Sequence, residues 1–105
     1  MRGSAASRYQ PAVSTIHDLE AVLRQRDADR PEGSYTAALL ADRERLQRKI
    51  MEEAFETCLE IGRPTVDDAR VASEAADLLY HLLVGLVACG VTFDDVVAEL
   101  DRRRA

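Results

Sequence analysis

Apolar residues recur along this chain at helical spacing, and no alternating stretch of the strand type competes with them. Ile16, Leu19, Val22 and Leu23 fall on one face of a first predicted helix, which opens near Ser14 or Thr15, where a hydroxyl can cap the free N–H groups of a first turn. Charged residues from Arg26 to Arg30 close it, and Pro31 with Gly33 marks a turn. Ser34 or Thr36 then stands ready to cap a short helix through Leu40. A longer one is expected over Arg43–Ile61, with Leu46, Ile50, Ala54, Cys58 and Ile61 as its apolar stripe and Gly62 then Pro64 as its stop. The pattern leaves open whether Thr36–Asp42 joins that helix or kinks away.

Thr65-Val66-Asp67-Asp68 reads as a capping box with Asp in place of Glu. The helix it starts runs to about Cys89 and should turn Val71, Ala75, Leu78, Leu79, Leu82 and Leu86 inward, with Gly90 as C-cap. Thr92-Phe93-Asp94-Asp95 repeats the start signal for a last helix using Val96, Val97 and Leu100, and its final turn carries Arg102, Arg103 and Arg104 against the negative end of the helix dipole. The expected fold is all-α, four to five helices, in one domain over residues 14–105 behind an N-terminal tail of residues 1–13. The two long helices, joined by a short link, should form an antiparallel hairpin.

That hairpin matters because both helices carry paired carboxylates. Glu53/Glu56 and Glu74/Asp77 are each spaced i, i+3, which puts both members on one helix face. Four carboxylates converging in a cleft repel one another unless a cation sits between them. Oxygen-only ligation points to a hard ion, magnesium or manganese, and so to metal-assisted phosphoanhydride chemistry. A plainer reading exists for the first pair: Lys49 precedes Glu53 and Arg48 precedes Glu52 by four residues, the spacing of surface ion pairs. The second pair resists it, since Glu74 and Asp77 border the apolar run Leu78 to Leu83 and ionised groups there need partners or a metal.

Around this core lie further candidates. His81, four residues after Asp77, can hydrogen-bond a ligating carboxylate or serve as an ordinary structural histidine. Ser34, Tyr35 and Thr36 offer hydroxyls and helix-start N–H groups to a phosphate, or a simple N-cap. Arg45, Arg48 and Lys49 lie one to two turns before the glutamates, within reach of phosphates held there, or are merely solvated charges. His17 has no evident role.

Composition narrows the class. The 105 residues are 47% hydrophobic and 31% charged, ordinary for a folded domain, and their net charge of −5 with no basic stripe argues against nucleic acid as a partner. Cys58 and Cys89 stand alone in apolar runs, which suggests buried free thiols in a reducing cytoplasm. The longest apolar run, Leu82 to Cys89, falls short of the about 20 residues a membrane span needs, and Met1 to Val13 lacks the apolar segment of a signal peptide. A chain this small has a limited core, so a partner subunit is expected. Phosphate-binding glycine loops and serine-nucleophile elbows are absent.

The E-x-x-E and E-x-x-D pairs resemble the signature of the all-alpha nucleotide pyrophosphohydrolases, a superfamily that includes MazG-like enzymes and dimeric dUTPases. Pro31 to Thr36, Arg45 to Glu53, Glu74 to Leu83 and Gly90 to Leu100 are similar to its phosphoribosyl-ATP pyrophosphohydrolases. The likeness runs from about Ile16 to Arg103. It implies hydrolysis of phosphoribosyl-ATP to phosphoribosyl-AMP and pyrophosphate, the second step towards histidine, by a cytoplasmic homodimer whose bundle is completed on dimerisation. It also implies magnesium on Glu53, Glu56, Glu74 and Asp77, with manganese as a substitute. Glu52 then binds a second ion or orients the attacking water, and Lys49 contacts phosphate. Met51 stands where a glycine is usual, and Ala41–Glu44 is one residue short. Two rival readings are a MazG-like house-cleaning enzyme acting on other nucleoside triphosphates and a metal-free helical module whose acidic patch docks a basic partner.

Overall fold

The computed structural model describes residues 15–104. Five helices follow in order: α1 Thr15–Asp29, α2 Tyr35–Leu40, α3 Arg43–Ile61, α4 Asp68–Cys89 and α5 Phe93–Arg103. No strand occurs among the described residues, so the chain is all-α as expected. The expected tail, residues 1–13, lies outside them.

Local chemistry accounts for most boundaries. The Ser34 hydroxyl accepts the Ala37 N–H and starts α2, and Asp42 accepts the Arg45 N–H and starts α3, so Ala41-Asp42 separates the two helices. Gly90 ends α4 at φ 73°, in the left-handed region that a residue without Cβ enters freely. Thr92 and Asp95 close the reciprocal capping box of α5. One start differs from expectation. The box at Thr65 does not form; Asp67 caps α4 instead, its carboxylate accepting from the N–H groups of Ala69 and Arg70 two and three residues ahead.

Helices α3 and α4 form an antiparallel hairpin. Arg43 donates to the Ala88 carbonyl (2.7 Å), Ile50 packs where Gly85 leaves room, and Glu56 meets Glu74, so residue numbers climb on one helix as they fall on the other. A side chain at Gly85 would bring its Cβ to 3.3 Å from the Ile50 terminal methyl, a contact tighter than packing tolerates without a shift. The core comprises Leu23, Leu39, Leu40, Leu46, Leu83, Val84 and Val87, from α1 to α4. A buried carboxylate ties α5 to it: Glu20 of α1 accepts the Phe93 N–H at 2.7 Å and the Arg24 guanidinium at 3.2 Å.

The buried faces differ in part from those expected. On α4, Leu83, Val84, Val87 and His81 are buried, whereas Leu82 and Ala75 are exposed. On α3, Leu46 is buried but Cys58 and Ile61 are not, and the later turns bury Glu53, Thr57 and Glu60. Val22 is exposed on α1, and α5 buries none of its residues fully. Both cysteines are free and exposed, contrary to the expectation of buried thiols. The physical reason is shared: where more than one stripe of a helix is apolar, neighbouring helices select the stripe, and here α1 and α2 select the Leu83 side of α4. Among the described residues one helix, Asp68–Cys89, is long and apolar enough to cross a membrane by length and composition, a test that core helices of soluble proteins also pass.

Candidate metal and phosphate site

Midway along the hairpin, Glu53 and Glu56 of α3 come together with Glu74 of α4. One carboxylate oxygen from each lies within 4.8 Å of the others. The i, i+3 spacing and the antiparallel register bring this about, each helix presenting its acidic face to the other. Asp77 stands outside this triplet and is exposed, yet its charge is felt by both Glu53 and Glu74.

The electrostatics are those of an acidic site whose one nearby ammonium, at Lys49, does not balance it. Desolvation pushes the Glu53 carboxyl above its ordinary range, Glu56 and Asp77 add to the rise, and Lys49 and His81 only partly oppose it. Glu74 is raised by desolvation first and then by the adjacent Glu56 carboxylate. One buried oxygen of Glu53 and one of Glu74 have no hydrogen-bond partner. Buried carboxylate oxygens are ordinarily satisfied, so two such orphans in one cluster suit a divalent cation as ligand. The donor set, all oxygen, suits a hard divalent ion and not zinc.

Lys49 stands at the rim. Its ammonium lies 3.3 Å from Glu52 and 3.7 Å from Glu53, and the Glu52 hydrogen bond, ahead of its charge, raises its pKa. Glu52 points outward, its side chain 57% exposed. Arg48 pairs with Glu44 at 3.3 Å, on a well-exposed surface.

An aromatic wall adjoins the carboxylates. The Tyr35 hydroxyl meets His81 Nε2 at 2.8 Å, and the Tyr35 ring stacks near-parallel on Tyr80, centroids 6.4 Å apart. His81 sits edge-on to both rings, its Nδ1 2.8 Å from the Asp77 carbonyl. Thr36 hydrogen-bonds the Tyr80 hydroxyl, so the Ser34 and Thr36 hydroxyls are both engaged within the fold. The Arg45 guanidinium lies over Tyr35, 5.5 Å from its centroid.

Glu20 had no place among the residues singled out from the sequence, and Tyr80 entered only beside His81, through the family likeness. A carboxylate between Ile16, Leu19 and Leu23 on an apolar face was the signal for Glu20. Met51, in place of a usual glycine, is 71% exposed.

A model of the phosphoribosyl-ATP pyrophosphohydrolases matches residues 16–104. The chain belongs to this family. It is 48% identical over 92 residues to a phosphoribosyl-ATP pyrophosphatase of Cereibacter sphaeroides, covering 87% of each chain. Identity to that of Ruegeria pomeroyi is 44% over 93 residues, 88% of this chain and 87% of the relative. A bifunctional histidine-biosynthesis protein of Photobacterium profundum is 41% identical over 95 residues, and the match spans 90% of this chain but 45% of that longer one.

Proposed function

We infer that this chain hydrolyses phosphoribosyl-ATP to phosphoribosyl-AMP and pyrophosphate, the second step of histidine biosynthesis. The observation that carries the reading is the meeting of Glu53, Glu56 and Glu74, two with orphaned buried oxygens, inside a domain that matches this one family from residue 16 to 104.

Glu53, Glu56 and Glu74 hold magnesium, which manganese can replace, with Asp77 completing the acidic set one turn beyond Glu74. A divalent ion bound there supplies neutralisation of phosphate oxygens and a more acidic bound water. Water adds at phosphorus, the α–β phosphoanhydride P–O bond breaks, and pyrophosphate leaves. Lys49, at the rim, contacts phosphate, and Glu52 orients the attacking water. Tyr35, Ser34, Thr36 and His81 shape the wall against which the nucleotide lies, and Arg48 adds positive charge at the mouth.

The active form is a homodimer. Met51, Phe55 and Leu59 repeat every four residues along one stripe of α3 and are 71%, 64% and 50% exposed, and Leu82 borders an apolar cleft with Leu46, Ile50, Gly85 and Leu86. Apolar exposure on this scale in so small a chain favours a partner surface. The free thiols suit a reducing cytoplasm.

The test is pyrophosphate release from phosphoribosyl-ATP with magnesium, beside common nucleoside triphosphates, for the wild type and for Glu53→Gln and Glu74→Gln. Selective, magnesium-dependent release that both substitutions abolish is expected. Release from ordinary triphosphates alone would move the chain to a house-cleaning role. Unchanged activity in both variants would refute the metal assignment.

A further inference from the structure

Four cations occupy the first two turns of α3, and three are already engaged. Arg43 donates to the Ala88 carbonyl, Arg48 is paired with Glu44, and Lys49 with Glu52 and Glu53. Arg45 is not. Among the described residues no carboxylate stands within ion-pair distance of its guanidinium, which rests over the Tyr35 ring. That ring is held in turn by the His81 hydrogen bond and the Tyr80 stack. An exposed, planar, five-donor cation pre-oriented on an aromatic face, with no internal counter-ion, is suited to an anion from outside, and its fork geometry fits a phosphate.

Position along the helix says which phosphate. Lys49 is one turn from Glu53, close enough to share the phosphates at the carboxylate cluster. Arg45 precedes Glu53 by eight residues, roughly 12 Å along the axis at about 1.5 Å per residue. Phosphoribosyl-ATP is anionic at two ends: the triphosphate, and a phosphomonoester on the second ribose attached to the base. With the scissile α–β bond at the carboxylates and Lys49, the remainder of the nucleoside extends away from them. The second phosphate then needs its own cation beyond Lys49.

We propose that Arg45, steadied on Tyr35, binds the phosphomonoester of the phosphoribosyl arm, the group that distinguishes this substrate from ATP. The proposal rests on the function inferred above and assigns Arg45 to specificity, with Tyr35 as its positioning residue. A charge-assisted, bidentate contact of this kind is worth roughly 10- to 100-fold in affinity.

Steady-state hydrolysis of phosphoribosyl-ATP, with ATP as a competing nucleotide, tests it. Arg45→Gln should raise KM for phosphoribosyl-ATP roughly 10- to 100-fold while kcat and the inhibition constant of ATP each stay within about threefold. Arg45→Lys should recover part of the loss, since it keeps the charge but not the fork. Tyr35→Leu should raise KM in the same direction by less. For the two Arg45 variants the ATP inhibition constant also reports that the fold is kept, and helical circular dichroism reports it for Tyr35→Leu. If KM and the ATP inhibition constant rise together, Arg45 serves the triphosphate and the proposal fails. It fails equally if KM does not move. A wild-type chain that releases no pyrophosphate from phosphoribosyl-ATP overturns the function itself, a result separate from both.

Discussion

The hydroxyl of Tyr35 lies 2.8 Å from Nε2 of His81, joining the first turn of α2 to the middle of α4 across 46 positions of sequence. The ring's other nitrogen faces the Asp77 carbonyl, which can only accept, so Nδ1 donates to it and Nε2 is left to the tyrosine hydroxyl. Tyr35→Phe keeps the ring but leaves a nitrogen of a buried histidine without its partner. The expected cost is about 1 kcal/mol, a fall in Tm of roughly 4–8 °C for a domain of this size. An unchanged Tm in calorimetry would mean that the bond does not form in solution.

The raised carboxyls predict a pH dependence that metal should abolish. Glu53 and Glu74 both hold a proton more tightly folded than unfolded. Their contribution is therefore fully present below the ordinary value of 4.5 and is lost as pH rises through the raised folded values. Metal-free protein should lose Tm across that window, and millimolar magnesium should flatten the loss by stabilising the ionised cluster. Calorimetry from about pH 4 to 8, with and without magnesium, reads this out; identical curves would contradict a cation site.

A second pH effect lies at the other end of the molecule. His17 Nε2 is 2.8 Å from Asp94, whose hydrogen bond and then charge raise the histidine pKa. A raised histidine stabilises fully below its ordinary 6.5, and the contribution fades as pH rises through the folded value. Asp94→Asn should reduce the decline in Tm over that interval. Because the pair is exposed the effect is small, and NMR titration of His17 measures it directly.

Leu83 is 1% exposed and central to the core. Leu83→Ala should destabilise by about 2–5 kcal/mol, a transfer loss plus a cavity that four packed helices cannot close. Chemical denaturation would show it as a lower midpoint, and a change under about 1 kcal/mol would mean that the site collapses around the smaller side chain.

Phe55 is 64% exposed on the apolar stripe of α3. Phe55→Glu should convert the proposed homodimer to a monomer in sedimentation equilibrium while leaving the helical circular dichroism intact. A wild type that sediments as a monomer at every concentration would remove the dimer from the proposal.

Much of this was readable from the sequence because the signals are local. Ser34 caps α2, the Thr92 and Asp95 side chains close their box, and Gly90 ends α4, since each acts within a few residues of itself. The carboxylate pairs were equally plain: i, i+3 spacing needs only a helix. Caps failed only where two neighbours competed, as Thr65 and Asp67 do before α4.

What the sequence by itself determined was therefore that every element is a helix, four or five of them, along with most of their ends and the acidic faces of α3 and α4. Tertiary structure alone decided which apolar stripe is buried, placing Leu83 and Val84 inside and leaving Leu82, Phe55 and both cysteines outside. It also decided that Glu74 joins the triplet while Asp77 stands outside it, and that Arg45 alone of its neighbours rests on a tyrosine without a carboxylate. Helical period specifies an angle around one axis. Burial and charge pairing depend on where the other helices lie, and only packing sets that.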